Sequence, residues 1–407
     1  MPHDRLEKAL HGALAQMKAA GRLKGRESVI AEVIPARDER GPRYRLEGES
    51  DKEFLRMNAN GYLGLALQAD VIAAEEKAVA RFGAGPGAVR FISGTWSAHT
   101  ALERRLAAFH GRLAAMIYSS AYAAVMGVLT ALIDEDTAVI SDALNHNSII
   151  NAVRLARPKE KYVYPHLDMA GLEQNLRAAA KTCRRAIVVT DGVFSMRGDH
   201  APLHEIEALA RRYDDAFAEN VSVVVDDSHG VGAFGAAGRG TEDYTGSAPV
   251  DLLIATLGKA FGVNGGYVTG SRTVIEYLRE TSPFYIYSNP ITPGEAAAAE
   301  VAVDIVDSVR GTALLEHLRA LTARFKAGLV KMGFETLPGE HPIVPLLVRD
   351  TERTRALTEH LREHGILATG LGYPVVPKGD EEIRFQVSAD HTPADIDSVL
   401  AALAKFK

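Results

Sequence analysis

Two apolar runs each deliver an ionisable side chain to their end. Asp251–Ala255 (DLLIA) leads through Thr256, Leu257 and Gly258 to Lys259, and Phe261–Tyr267 (FGVNGGY) then turns on glycine. Val221–Val225 (VSVVV) leads to Asp226-Asp227-Ser228-His229. A lysine at the end of a buried strand is desolvated, which favours the neutral amine that forms Schiff bases. An acid at the end of a second strand can pair with a protonated ring nitrogen. Together they suggest a pyridoxal 5′-phosphate (PLP) site, where the lysine holds the aldehyde and an aspartate keeps the pyridinium charged. Asp226 and Asp227 compete for the aspartate role. His229 can hydrogen-bond the ring hydroxyl or an acyl carbonyl. The plainer readings are a lysine capping a strand and acids capping a turn.

Other polar clusters also follow apolar runs. Ser119-Ser120-Ala121-Tyr122 follows Ala115–Tyr118 and reads as a helix start, whose free N–H groups and hydroxyl make an anion site or an ordinary N-cap. The Thr256 hydroxyl can bind the same phosphate. His146, in Ser141–Ser148 (SDALNHNS), can stack on a flat ring or serve as a structural histidine. Ser195, in Thr190–Met196 (TDGVFSM), can reach that ring. Arg384 (EIRFQ) can fork onto a carboxylate or pair with Glu381 or Glu382.

These residues need a scaffold that gathers strand ends. From about Asp70, helical segments alternate with short apolar strands at Ala115–Tyr118, Ala138–Ile140, Tyr162–Tyr164, Ala186–Thr190, Ser222–Val225, Leu252–Ala255 and Tyr267–Thr269. That alternation predicts an α/β fold with a mostly parallel seven-stranded sheet, and chemistry outside the carboxyl ends of its strands. Arg5 to Ala20 reads as an amphipathic helix with Leu6, Leu10, Leu14 and Met17 on one stripe. A short hairpin is expected within residues 34–52. One long helix is expected over 293–332, then two or three strands and two helices. The expected divisions are an N-terminal segment (1–56), a large domain (57–295), and a linking helix with a small α+β domain (296–407).

Composition is that of a globular chain of 407 residues, 47% hydrophobic and 24% charged. A net charge of −6 argues against nucleic acid as a partner. The single cysteine, Cys183, excludes an intrachain disulfide. No apolar run reaches membrane-spanning length and no signal-peptide core stands at the N-terminus, so a cytoplasmic protein is expected. No metal is expected.

The motifs occur in the order of a known family. Asn60–Ala66 (NGYLGLA), Arg90–Thr95, Ser141–Ile150, Thr190–Met196, Asp226–Gly232, Gly238–Thr241, Thr256–Ala260 and Tyr373–Gly379 (YPVVPKG) together resemble those of the α-oxoamine synthases, PLP enzymes of fold type I. Tyr373–Gly379, Ser141–Ile150 and Ser388–Pro393 are most similar to the glycine C-acetyltransferase (2-amino-3-ketobutyrate CoA ligase) branch. Gly258–Tyr267 is closer to the 5-aminolevulinate synthase turn, and Gly61 departs from the Asn or Asp usual there.

The resemblance implies condensation of an amino acid, glycine favoured, with an acyl-CoA in a homodimer. An 8-amino-7-oxononanoate synthase-like or 5-aminolevulinate synthase-like member with a longer acyl group is the alternative. An aminotransferase, or a non-catalytic binding protein of the same fold, are the readings from other classes. Residue by residue, it implies that Lys259 carries PLP and moves the α-proton, while Asp226 pairs with the pyridinium. His146 would stack on the ring, with His229 and Ser195 at its hydroxyl side. Ser120, Ala121, Tyr122 and Thr256 would hold the phosphate, with Ser288 reaching it across the dimer. Asn60 and Arg384 would grip the amino-acid carboxylate.

Overall fold

The computed structural model describes residues 3–23, 27–49, 51–373 and 376–406. Its contacts divide into two compact units, Asn60–Leu318 and the combination of Met1–Ala59 with Arg319–Lys407.

The larger unit is built on the expected seven-stranded sheet. Its strands are β1 (Ala114–Tyr118), β2 (Thr137–Asp142), β3 (Glu160–Tyr164), β4 (Arg185–Asp191), β5 (Val221–Asp226), β6 (Leu252–Thr256) and β7 (Gly266–Gly270). They lie in the order β1-β7-β6-β5-β4-β2-β3, and only β7 runs antiparallel to its neighbours. The central strands read as continuous apolar runs because helices cover both faces of such a sheet. Ala186 to Val189 and Val223 to Val225 are all at most 2% exposed.

Register brings the chemistry to one edge. Asp191 pairs with Asp226 across β4 and β5, and Gly266 sits opposite both Tyr118 and Thr256. Side chains that end β1, β2, β4, β5 and β6 therefore emerge side by side. A Cβ on Gly266 would collide with the Ala121 nitrogen, so only glycine lets β7 lie beneath the start of the helix Ala121–Leu132.

The smaller unit holds two sheets. One orders Ile30–Ile34, Arg43–Leu46, Glu53–Arg56 and Ile366–Leu367; the other orders Glu335–Thr336, Ile343–Leu347, Glu382–Gln386 and Thr369–Leu371. Parallel pairing of Ile366 with Leu55 ties the N-terminal strands to the C-terminal ones. The N-terminal segment thus groups with the C-terminal unit rather than standing alone, a long-range pairing invisible to local pattern. The C-terminal part carries more strands than expected, because those of two and three residues are too short to show a period. The long helix is in fact two, Pro293–Val306 and Val309–Lys331. The break lies at Asp307, which leaves helical geometry with ψ 33° and accepts bonds from Arg105 and Arg239.

The first helix spans Asp4–Ala19 and buries none of its residues, so the Leu6, Leu10, Leu14 and Met17 stripe is exposed. The polar tract 214–220 acts as a brace: Asp214 accepts the Val221 N–H and the Asn220 amide, and Glu219 pairs with Arg184 and Arg185. Among the described residues no helix is long and apolar enough to cross a membrane.

Candidate active site

A cleft with about 350 Å³ of empty space opens at the carboxyl edge of the large sheet. Ala121, Tyr122, His146, Ser195, Asp226, His229 and Lys259 line it, each at or just after a strand end or helix start. Seven of the residues singled out in the sequence are thus brought together. Asp191, Val193, Ser148 and Ser228 complete the wall.

The adjacent acids separate cleanly. Asp226 faces the cleft and accepts the Ser228 hydroxyl at 2.5 Å and its N–H at 3.2 Å. Asp227 is fully buried and accepts the Thr241 N–H at 2.6 Å and hydroxyl at 2.7 Å. Burial, opposed by those two bonds, pushes Asp227 up to about 7. Its carboxylate is spent on the Gly238–Thr241 segment, which leaves Asp226 as the acid of the cleft.

His146 caps the helix Asn147–Ala156: its Nδ1 lies 2.7 Å from the Ser148 hydroxyl and accepts the Ser148 N–H at 3.3 Å. Tyr122 meets its ring edge-on at 6.4 Å. Burial lowers its pKa and Lys259 lowers it further, against the opposing pull of Asp226. His229 is held from outside the cleft, its Nδ1 2.7 Å from the Tyr62 hydroxyl, which also reaches Asn60 Oδ1 at 3.3 Å. The Asn60–Ala66 motif thus orients His229.

Ser120 caps the helix Ala121–Leu132 through the Ala123 N–H at 3.1 Å. The N–H groups of Ala121 and Tyr122, in the first turn, have no intrahelical acceptor, and both residues line the cleft wall, where such groups can take an anion. Thr256 braces the lysine turn, accepting the Gly258 N–H at 3.0 Å and donating to Gly265 O at 3.1 Å. Gly262 in that turn has φ +71° and packs on the Ala66 backbone with no room for a Cβ.

Two further expected site residues of the larger unit do not line the cleft. Ser288 donates to Asn289 O at 3.4 Å and does not line the cleft. Asn60 reaches the site through Tyr62. Arg384 occupies the strand Glu382–Gln386 of the smaller unit. Of Tyr373–Gly379, Pro374 and Val375 fall outside the described residues.

Sequence reading missed Asp191. It is 4% exposed, accepts the His146 N–H at 3.1 Å through Oδ2, and among the described residues its Oδ1 has no partner. Burial and then the neighbouring Asp226 carboxylate push it well above the usual carboxylate range. Its place in the Thr190–Met196 run, beside Ser195, was the available signal. A lysine, two acids, an anion-binding helix start and a buried unpaired oxygen around one cleft match a planar, phosphate-bearing cation.

A mostly parallel seven-stranded sheet with a lysine and an aspartate at its carboxyl edge defines a PLP-dependent enzyme of fold type I. The chain belongs to the aminotransferase class I and II family, whose model matches residues 52–403. Within it the relatives are α-oxoamine synthases. The 8-amino-7-oxononanoate synthase of Thermosipho melanesiensis is 42% identical over 88% of this chain and 88% of its own length. The human mitochondrial 2-amino-3-ketobutyrate coenzyme A ligase is 39% identical over 97% of this chain and 91% of its own. A serine palmitoyltransferase of Sphingomonas wittichii superposes with a TM-score of 0.87, covering 99% of this chain and 97% of that one at 26% identity.

Proposed function

We propose that the protein condenses an amino acid, glycine favoured, with an acyl-CoA thioester and releases CoA. The observation that carries this reading is one cleft lined by Lys259, Asp226, His146, His229 and the start of the helix Ala121–Leu132. Relatives named for such syntheses along almost the whole chain support it.

PLP, when bound, draws electrons from the α-carbon of an amino acid held on it. Asp226, oriented by Ser228, would pair with the ring nitrogen. His146, fixed by Ser148, would stack on the ring. The N–H groups of Ala121 and Tyr122, with Ser120, Thr256 and a partner copy's Ser288, hold the phosphate. Lys259 Nζ takes the α-proton as general base. His229, oriented by Tyr62, and Ser195 would hydrogen-bond the hydroxyl side of the ring. Asn60 and Arg384 fix the amino-acid carboxylate, which decides which α-bond is aligned to break. The working unit on this reading is a cytoplasmic homodimer.

The test is amino-acid-dependent release of free thiol across a panel of acyl-CoA chain lengths. Glycine-dependent thiol release is expected; transamination of a keto acid with no thiol release overturns the reading. The acyl chain giving the highest kcat/KM assigns the branch, short for the ligase and long for the oxononanoate synthase.

A further inference from the structure

His166 lies outside the cleft, yet it joins two of the loops that build it. It follows β3, and both ring nitrogens meet carboxylates: Nδ1 lies 3.0 Å from Asp142 Oδ1 and Nε2 lies 3.3 Å from Asp199 Oδ2. A carboxylate offers only acceptors, so both contacts are hydrogen bonds only when both ring nitrogens carry protons. The geometry therefore calls for an imidazolium. Its side chain is 18% exposed and that of Asp142 is 1% exposed, so the charges are shielded from water.

Each carboxylate belongs to an element that carries a cleft residue. Asp142 ends β2 and begins the loop to His146; its Oδ1 also accepts the Leu144 N–H at 2.8 Å. Asp199 closes the turn holding Ser195, in which the Phe194 N–H donates to Asp199 O and the Gly198 N–H donates to Phe194 O, both at 2.9 Å. Phe194 meets the His166 ring edge-on at 4.4 Å and walls off one side. Arg197 shares Asp199 Oδ2 at 2.7 Å; Asp191 and Tyr164 also face Asp142, and His200 faces Asp199.

We propose that His166 is a positioning residue: as an imidazolium it ties the Asp142–His146 loop to the Phe194–Asp199 turn and so sets the spacing of His146 and Ser195 about the cofactor. This rests on the reading that both residues contact PLP. Burial alone would lower the His166 pKa, but hydrogen bonds and charge from Asp142 and Asp199 outweigh it and raise it to about 9. A raised histidine pKa means the tie is complete below about pH 6.5 and lost as pH climbs through about 9.

The experiment follows PLP leaving diluted holoenzyme, read by decay of its visible absorbance, for wild type, His166→Gln, Asp199→Asn and His146→Ala. At pH 7, His166→Gln is expected to release PLP about tenfold faster than wild type, and Asp199→Asn about threefold faster. At pH 10 wild type has lost its own imidazolium, so the ratio of His166→Gln to wild type falls toward one. Taking that ratio cancels any titration of Lys259 or of PLP itself. His146→Ala is expected to speed release at both pH values. Release unchanged in His166→Gln, or a deficit undiminished at pH 10, overturns the tie while leaving the site reading intact. Unchanged release in His146→Ala overturns the site reading and the tie with it. Should His166→Gln not fold, Asp199→Asn decides: release at the wild-type rate overturns the proposal.

Discussion

Asp191 and Asp395 are both buried carboxylates, and the two units treat them in opposite ways. Asp395, in the smaller unit, has a side chain 1% exposed. It accepts the Arg43 guanidinium, the Gly41 N–H at 2.9 Å and the Thr392 N–H at 3.0 Å. Burial alone would raise its pKa, but those bonds outweigh it and hold the group below the usual range. Asp191, at the cleft of the larger unit, keeps one bond to the His146 N–H, an oxygen with no partner among the described residues, and the Asp226 carboxylate as neighbour. Asp395 is saturated with donors, whereas the cleft leaves Asp191 short of them. A buried polar group short of partners marks a place shaped for a ligand.

The sharpest way to break that contrast is at Lys259. If the cleft is organised for chemistry, Lys259→Ala should lower thiol release by at least about 10³-fold. It should shift unfolding stability by no more than about 1 kcal/mol, because Lys259 is half-buried on the cleft wall and not in the core. Steady-state kinetics and urea unfolding on one preparation check both. A variant that still turns over removes the lysine from its role.

Asp395→Asn should do the reverse. Removing one partner of a buried ion pair leaves Arg43 uncompensated, at a cost of about 3 kcal/mol; the lower end of the usual range applies because Arg43 keeps some contact with water. Asp395 is depressed in the fold, so its contribution is present above about pH 3.8 and is lost as pH falls below it. The wild type and the variant should therefore converge in acid unfolding experiments. Asp191 is raised instead, so at neutral pH its ionisation opposes folding. Asp191→Asn should stabilise the cofactor-free protein by about 1 kcal/mol at pH 7, with the gain shrinking toward pH 4. Loss of stability in this variant would mean that Asp191 is a structural acid like Asp395.

What was legible in the sequence follows from where each signal lives. The seven strands stand out because each is an apolar run bounded by polar turns, and the cleft residues stand out because each follows one of them. Asp191 follows the same rule but sits one residue before Gly192, where an acid passes for a turn former. The choice between Asp226 and Asp227 needed the side-chain directions at the end of β5, since only Thr241, far along the chain, explains Asp227. Tyr62 and His166 act on the site through His229, Asp142 and Asp199, partners from distant segments that no local pattern connects. The break at Asp307 depends on Arg105 and Arg239 for the same reason.

Ser288 gives the gentlest test, because it asks whether one cleft is complete within one chain. Its hydroxyl makes a long bond to Asn289 O and lies outside the cleft wall. If a second copy delivers it to the phosphate, Ser288→Ala removes one hydrogen bond of roughly 1 kcal/mol, about a fivefold weaker grip on PLP. That loss should appear only while the protein is dimeric. Equilibrium PLP binding measured above and below the protein concentration at which sedimentation shows dissociation separates the cases. A deficit that persists in the monomer places Ser288 in its own chain's site. No deficit at either concentration leaves the phosphate to Ser120, Ala121, Tyr122 and Thr256 of one chain, and the contrast between the saturated Asp395 and the unsaturated Asp191 then needs no partner to complete it.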